Sequence, residues 1–315
     1  MSKTAFIYPG QGAQKAGMGA DFYENSEIAR YIFDQAGEEL DLDMKELCFE
    51  ENDRLDLTEY TQAAMVTTCL AMTRVAESKG LKADITAGLS LGEYPAIAAA
   101  GGMNDMDAIR LVRKRGILMQ NTVPAGEGAM CAVISMAAEE IEKVIEPIAD
   151  VSVANYNCPG QIVITGKTDA VEEAAAKLKE AGARRTIMLN VSGPFHSQML
   201  VPAGEKLAEE LEHTRFHELR IPYVTNVTAE KVTDIRETPG LLTTQISSPV
   251  RWMQSMERMI ADGVDTFVEI GPGKTLEGFL RKIDRSVKVF HISQWEDVDK
   301  VCTELADSGK MMEEA

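Results

Sequence analysis

The 315-residue sequence predicts an α/β fold, with a large part built on a mostly parallel sheet and a smaller βαββαβ unit set into it. Short apolar runs of strand length alternate with longer helix-patterned segments over most of the chain, the pattern of strands joined by crossover helices. Between about Gly128 and Asn190 the order becomes strand, helix, strand, strand, helix, strand, which is the ferredoxin-like unit. Beyond it, helices and strands alternate again.

The first strand, Thr4 to Tyr8, breaks at Pro9-Gly10 into a glycine-containing turn, and a helix is expected to follow. Thr58 to Ser78 has helical composition. Ala83 to Leu89 reads as a second strand leading to Ser90 and the small-residue run Ala96 to Ala100. The inserted unit reads as strand 129–134, helix 137–148, strands 151–155 and 161–165, helix 168–181 and strand 185–190. Its middle strands are joined by Asn157-Cys158-Pro159-Gly160, residue types suited to a tight connection. Helix 197–212, strand 222–225, helix 251–262, strand 266–270 and strand 287–292 then complete the large part. Residues 1–127 and 191–315 are thus expected to form a large α/β catalytic domain, and residues 128–190 a ferredoxin-like small subdomain. The polar tail from Ser308 is expected to fray.

A hydrophobic content of 45% is enough to bury a sizeable core, which sets disorder aside. Met1 to Gly10 lacks the charged and apolar blocks of a signal peptide, and no stretch approaches ~20 uninterrupted apolar residues, so no membrane span is expected. Cys48, Cys69, Cys131, Cys158 and Cys302 are odd in number and scattered, with no CxxC and no histidine at metal-ligand spacing. That usage points to buried thiols in a reducing, cytoplasmic setting with no metal site. A net charge of −18 argues against nucleic-acid binding, because phosphate contacts demand a basic surface. Two basic runs stand against this balance: Arg110, Arg113, Lys114 and Arg115, and then Lys274, Arg281, Lys282, Arg285 and Lys288. Each reads either as a solvated helix face or as a functional patch.

Gly88-Leu89-Ser90-Leu91-Gly92 matches G-x-S-x-G between a strand and a helix, the context in which a serine is held on a tight bend as a nucleophile. There the backbone N–H groups of a helix N-terminus can hold an oxyanion. A serine needs a base. Of the four histidines, His213 and His217 fall at and beyond a polar helix end and are expected to be solvated, and His291 falls in a late strand. His196 closes the turn-rich stretch Val191-Ser192-Gly193-Pro194-Phe195 between the small unit and the returning large one, so elimination brings it forward as the base. The first turn, Pro9-Gly10-Gln11-Gly12-Ala13-Gln14, reaches Lys15 where a dinucleotide fingerprint requires its third glycine. An oxyanion hole needs two converging N–H groups, and Gln11 and Leu91 are the candidates.

Arg115 is the most informative single residue. On helix 105–120, Ala108, Leu111, Val112, Leu118 and Met119 form an apolar stripe at spacings of three and four. At ~100° per residue Arg115 falls near its middle, whereas Arg113 and Lys114 point away. A guanidinium aimed into a core must be paired, either with a protein carboxylate or with a substrate carboxylate held bidentately.

Taken in order, Pro9-Gly-Gln-Gly-Ala-Gln14, Gly88-Leu-Ser-Leu-Gly-Glu-Tyr94, Arg115-Gly116, Gly193-Pro-Phe-His196 and Glu269-Ile-Gly-Pro-Gly273 resemble the malonyl-CoA:acyl carrier protein transacylase family over roughly residues 3–292. The resemblance implies an α/β-hydrolase-like large domain and transfer of a malonyl group from malonyl-CoA to the phosphopantetheine thiol of acyl carrier protein, in fatty-acid or polyketide biosynthesis. It implies Ser90 as nucleophile, His196 as base and acid, Arg115 as the clamp on the malonate carboxylate and the N–H groups of Gln11 and Leu91 as oxyanion hole. It also implies a histidine oriented by a backbone carbonyl, at Gln245, in place of the acid of a triad, with malonyl-CoA as substrate and no cofactor or metal. Phe195 resembles the malonyl-selective members, whereas Leu89 departs from the histidine usual before the serine. Carrier protein is expected to dock near Lys274, Arg281, Lys282 and Arg285. Two competing readings are a serine esterase, which needs no Arg115, and a non-catalytic docking module, which needs no Ser90.

Overall fold

Inward side chains alternate along β1 (Lys3–Tyr8): Phe6 and Tyr8 enter one hydrophobic core, Ala5 and Ile7 another. A strand apolar on both faces belongs at the centre of a covered sheet, and there the computed structural model, which describes residues 2–307, places it. The helix expected directly after Pro9-Gly10 is delayed: residues 9–19 form a loop before α1 (Ala20–Asn25). Gly12, Gly17 and Gly19 take φ of 103°, 87° and 82°, which no right-handed helix can use. Helices α2 (Glu27–Leu40) and α3 (Met44–Phe49) follow, then α4 (Thr58–Ser78), which is buried along nearly its whole length.

Strand β2 (Ile85–Gly88) passes through a 3₁₀ turn at Ser90–Gly92 into α5 (Glu93–Ala99), and then comes α6 (Asp105–Asn121). The inserted unit consists of β3 (Gly128–Ile134), α7 (Ala138–Ile145), β4 (Val151–Cys158), β5 (Gln161–Lys167), α8 (Thr168–Glu180) and β6 (Arg185–Met188). Its antiparallel sheet runs β4-β5-β3-β6, with a core of its own under α7 and α8. Helix α7 stops three residues short of the predicted end, ahead of Pro147, which has no N–H to continue the helical hydrogen bonds.

The chain returns through α9 (Val201–Glu212), a hairpin of β7 (Tyr223–Val224) and β8 (Lys231–Val232), α10 (Thr238–Gln245), α11 (Trp252–Ala261), β9 (Val264–Ile270), α12 (Thr275–Ile283), β10 (Lys288–Ile292) and α13 (Trp295–Asp307). The large sheet is ordered β10-β9-β1-β2-β7-β8 and is parallel except at its β8 edge. On one face pack α4 and α5, with α6 laid against both helices. On the other, α11 and α12 bury Trp252, Met256, Met259, Leu276 and Leu280, each fully buried apolar side chain contributing roughly 1.5–3 kcal/mol.

β1 pairs with β2 on one side and with β9, the strand reached last but one, on the other. That reversal of strand order is a topological switch point, and ligands of open α/β sheets bind beyond the strand C-termini at such a point. The loops after β1, β2 and β9 meet there. A Cβ at Gly271 would lie 2.7 Å from Pro9. The second basic run does not share this edge as a unit. Lys274 follows the β9 loop, but Lys288 starts β10 level with Thr266, far back along β9, and Arg281 is engaged by Glu277 at 2.5 Å. Of the residues expected to meet carrier protein, Lys274 stands at the start of α12 and Arg281 and Lys282 in its last turn. The tail from Ser308 lies outside the described residues.

Candidate active site

The turn after β2 shows why its glycines are required. A Cβ at Gly88 would lie 1.8 Å from the carbonyl oxygen of Gly92, and one at Gly92 would lie 2.4 Å from that of Tyr8. Ser90 between them takes φ 55°, a left-handed conformation that costs a non-glycine residue about 1–2 kcal/mol. The bend presents Oγ above the sheet. Leu89 N–H donates to Tyr8 O at 3.0 Å, and the Leu89 side chain lies against Gly10, so the β1 and β2 loops are in direct contact. This contact brings the Gln11 and Leu91 backbones to the same end of neighbouring strands. The Gln11 side chain is held by Thr58 Oγ1 at 3.1 Å, and Thr58 in turn meets Ser192 Oγ at 2.8 Å.

His196, itself at φ 61°, is buried with Nε2 2.8 Å from Ser90 Oγ. Its Nδ1 lies 2.9 Å from Gln245 O and 3.1 Å from Ser248 O. Both partners are acceptors only, so Nδ1 carries the hydrogen and Nε2 presents its lone pair to the serine. Among the described residues no carboxylate supports the imidazole. Burial first, and then the Arg115 charge, push its pKa down to about 4, against the opposing pull of the two carbonyls. The imidazole is therefore neutral, with Nε2 free to accept a proton, throughout the physiological range.

Arg115 is fully buried, as its place in the apolar stripe requires. Nη1 donates to Gln62 Oε1 at 2.7 Å, and Nη2 donates to both Ser90 Oγ and Gln245 Oε1 at 3.0 Å. Its Nε has no hydrogen-bond partner among the described residues. Every partner is neutral, and among the described residues Arg115 forms no ion pair, so the protein-carboxylate alternative is not realised. The outward charges on α6 behave differently: Arg113 pairs with Glu59 at 2.7 Å and Lys114 with Glu210 at 3.4 Å.

A half-buried serine and a buried histidine thus stand beside a guanidinium that no carboxylate among the described residues pairs. The acyl transferase domain family model matches residues 5–298. A malonyl CoA-acyl carrier protein transacylase of Bacillus subtilis is 44% identical over 304 residues, covering 95% of this chain and 96% of the relative. The chain belongs to the malonyl CoA-acyl carrier protein transacylase family. Among solved structures, the Clostridium perfringens transacylase superposes with a TM-score of 0.94 at 42% identity, covering 98% of each chain. A malonyl-transacylase in complex with a type II PKS acyl-carrier protein superposes with a TM-score of 0.93 at 35% identity, covering 96% of this chain and all of that one.

In this transacylase-family fold the Ser90, His196, Arg115 and Gln245 groups predicted from sequence come together within hydrogen-bonding distance of one another. His213 is exposed as expected, whereas His217 is half-buried with Nε2 fully covered, because its segment packs back on Gly102. Sequence reasoning missed Gln62, Glu93, Asn226 and Ser248. Glu93 is buried behind the elbow, where Oε2 accepts from Gln245 Nε2 at 2.6 Å and from Asn226 N–H at 3.1 Å, and burial pushes its pKa up to about 7. Its presence in Gly88-Leu-Ser-Leu-Gly-Glu-Tyr94 was the one available signal.

All five cysteines are unpaired, and only Cys302 is not fully buried. Among the described residues no helix is long and apolar enough to cross a membrane, and no group of three His, Cys, Asp or Glu is placed to hold a metal ion.

Proposed function

We propose that this chain transfers a malonyl group from malonyl-CoA to the phosphopantetheine thiol of acyl carrier protein through a covalent acyl-Ser90, serving fatty-acid or polyketide biosynthesis in the cytoplasm. The observation that carries the reading is the contact of Ser90 Oγ with both His196 Nε2 and Arg115 Nη2. A nucleophile, its base and a buried cation without a carboxylate partner share one site. An esterase has no use for that cation, since burying an unpaired charge is costly unless a ligand offsets it.

In the first half-reaction Ser90 Oγ attacks the thioester carbonyl as His196 Nε2 takes its proton. The tetrahedral oxyanion is met by the N–H groups of Leu91 and Gln11. Collapse breaks the C–S bond, His196 returns the proton to the departing CoA sulfur, and malonyl-Ser90 remains. In the second half-reaction the carrier thiol gives its proton to His196 and attacks the ester, and Ser90 leaves with that proton. Arg115 exchanges its contact with Ser90 Oγ for the malonate carboxylate, and Phe195, buried next to His196, limits the bulk the acyl group can carry. No cofactor enters these steps. Residues 1–127 and 191–315 act as the large catalytic domain and residues 128–190 as the small subdomain. Radiolabelled malonyl-CoA should mark the protein on a denaturing gel, and a thiol acceptor should discharge the label much faster than water. Discharge by water at an equal rate would point to the esterase.

The base supplies a pH test. With its folded pKa near 4, His196 stays neutral far below the ordinary histidine value, so kcat/KM should hold nearly level from pH 8 to below 6 and fall only near 4 to 5. An acid limb centred on pH 6 to 7 would contradict this assignment. Stability is a less clean readout. The unfolded chain protonates His196 near 6.5 while the fold resists it, so stability falls from 6.5 toward 4. Glu93 and Glu269, both pushed up to about 7 by burial, act in the opposite sense, their contribution being complete below the ordinary carboxylate value and lost as pH rises through 7.

A further inference from the structure

Asn226 follows β7 by two residues and is almost completely buried. Each of its hydrogen-bonding groups is engaged. Side-chain Nδ2 donates to Gly88 O at 2.7 Å, and Oδ1 accepts from Ser90 N–H at 2.7 Å. Its backbone N–H donates to Glu93 Oε2 at 3.1 Å, and its carbonyl accepts from Arg251 N–H at 3.0 Å. The first three contacts hold the segment 88–93 that carries the strained serine. The fourth holds the end of the segment 245–251, whose Gln245 and Ser248 carbonyls orient His196. That second segment is also pinned to the small sheet, where Val250 exchanges hydrogen bonds with Ala154 and Tyr156 of β4 at 2.8 and 2.9 Å.

We infer that Asn226 is a positioning residue for acyl transfer, fixing the Ser90–His196 separation by tying the elbow to the strand of chain that holds the imidazole. The side chain has a second consequence. Since Oδ1 occupies the Ser90 N–H, that group cannot serve an oxyanion, and the hole is left to Leu91 and Gln11. An asparagine suits the position because one planar amide both accepts from Ser90 N–H and donates to Gly88 O, spanning the bend on either side of Leu89. Alanine leaves a carbonyl and an N–H unpartnered there, and the left-handed Ser90 loses the contact that over-determines it.

The inference rests on Ser90 and His196 acting as proposed above, so wild-type labelling by malonyl-CoA is run beside the variants. Asn226→Ala and Asn226→Ser should melt cooperatively and keep KM for malonyl-CoA within about threefold, because Gln62 holds Arg115 without Asn226 and Gln245 loses only a 3.5 Å contact to Asn226 Oδ1 while keeping its shorter bonds to Glu93 Oε2 and Ser90 O. Both kcat and the single-turnover rate of Ser90 malonylation should fall about 100-fold, the scale of a misplacement near 1 Å. A folded variant that retains kcat within threefold, or loses activity through KM alone, overturns the role of Asn226. Absence of label on the wild-type protein overturns the underlying mechanism instead. Should neither variant fold, the isosteric Asn226→Asp, assayed where its carboxylate is ionised and repels Gly88 O, should show the same loss in kcat. Wild-type turnover in that variant also overturns the role.

Discussion

Ser90→Ala is expected to take up no label from malonyl-CoA and to transfer malonyl roughly 10⁴- to 10⁶-fold more slowly than wild type, while melting within a few degrees of it. Alanine retains the Cβ, so the φ of 55° at position 90 is neither relieved nor worsened. The hydroxyl is lost, and with it contacts to His196 Nε2 and Arg115 Nη2. A water can occupy that space and satisfy both groups, but it cannot form the ester on which a double-displacement reaction depends. His196→Ala should reach a similar rate with Ser90 intact, because an unactivated hydroxyl is a poor nucleophile and the two residues act as one unit. Both variants can be followed by denaturing-gel labelling and steady-state transfer to carrier protein. Label retained by Ser90→Ala would place the acyl group elsewhere and remove the proposed nucleophile.

The parts of this site legible in the sequence were those where a residue type conflicts with its local pattern. Ser90 stands between two glycines on a strand–helix junction, and Arg115 stands inside an apolar stripe. His196 emerged because the other three histidines sat in unremarkable helical or strand contexts. Asn226 could not be found this way. In Thr225-Asn226-Val227-Thr228 it looks like any polar turn residue, and its partners Gly88 and Ser90 lie 138 and 136 positions away. Gln62 is equally silent, since a helix buried on every side has no face on which a polar residue looks misplaced. In the fold, β1, β2, β9 and β10 were legible as apolar runs between turn residues. The expected strand 222–225 is β7, whereas its hairpin partner Lys231–Val232 is too short to show a period of two. Helix α10 begins with Thr238-Pro239-Gly240 and has no apolar stripe to reveal it. Helix α2 did carry a signal, with Ala29, Ile32, Phe33 and Ala36 buried at spacings of three and four; the pattern was present and unread.

Arg115→Ala is expected to reduce kcat/KM for malonyl-CoA by roughly 30- to 5000-fold, or about 2–5 kcal/mol, while acetyl-CoA use changes far less. The guanidinium is fully buried and held only by neutral acceptors, Gln62, Gln245 and Ser90, so its charge is available to a ligand. Malonate's carboxylate entering the variant site would be desolvated with no cation to meet it. Acetyl carries no such charge, and its preference relative to malonyl should rise until the selectivity collapses or inverts. The variant has side effects. Two buried glutamine carbonyls lose their donor, and His196 loses the positive neighbour that helps depress its pKa, which should move the acid limb of the rate profile upward for both substrates. These effects are common to the two thioesters and cancel in their ratio. Arg115→Lys should restore only part of the malonyl rate, because an ammonium is a point donor that cannot hold both carboxylate oxygens in one plane. Measuring both substrates on both variants decides the role: an equal loss for malonyl and acetyl would mean that Arg115 supports the fold around Ser90 and does not select the substrate.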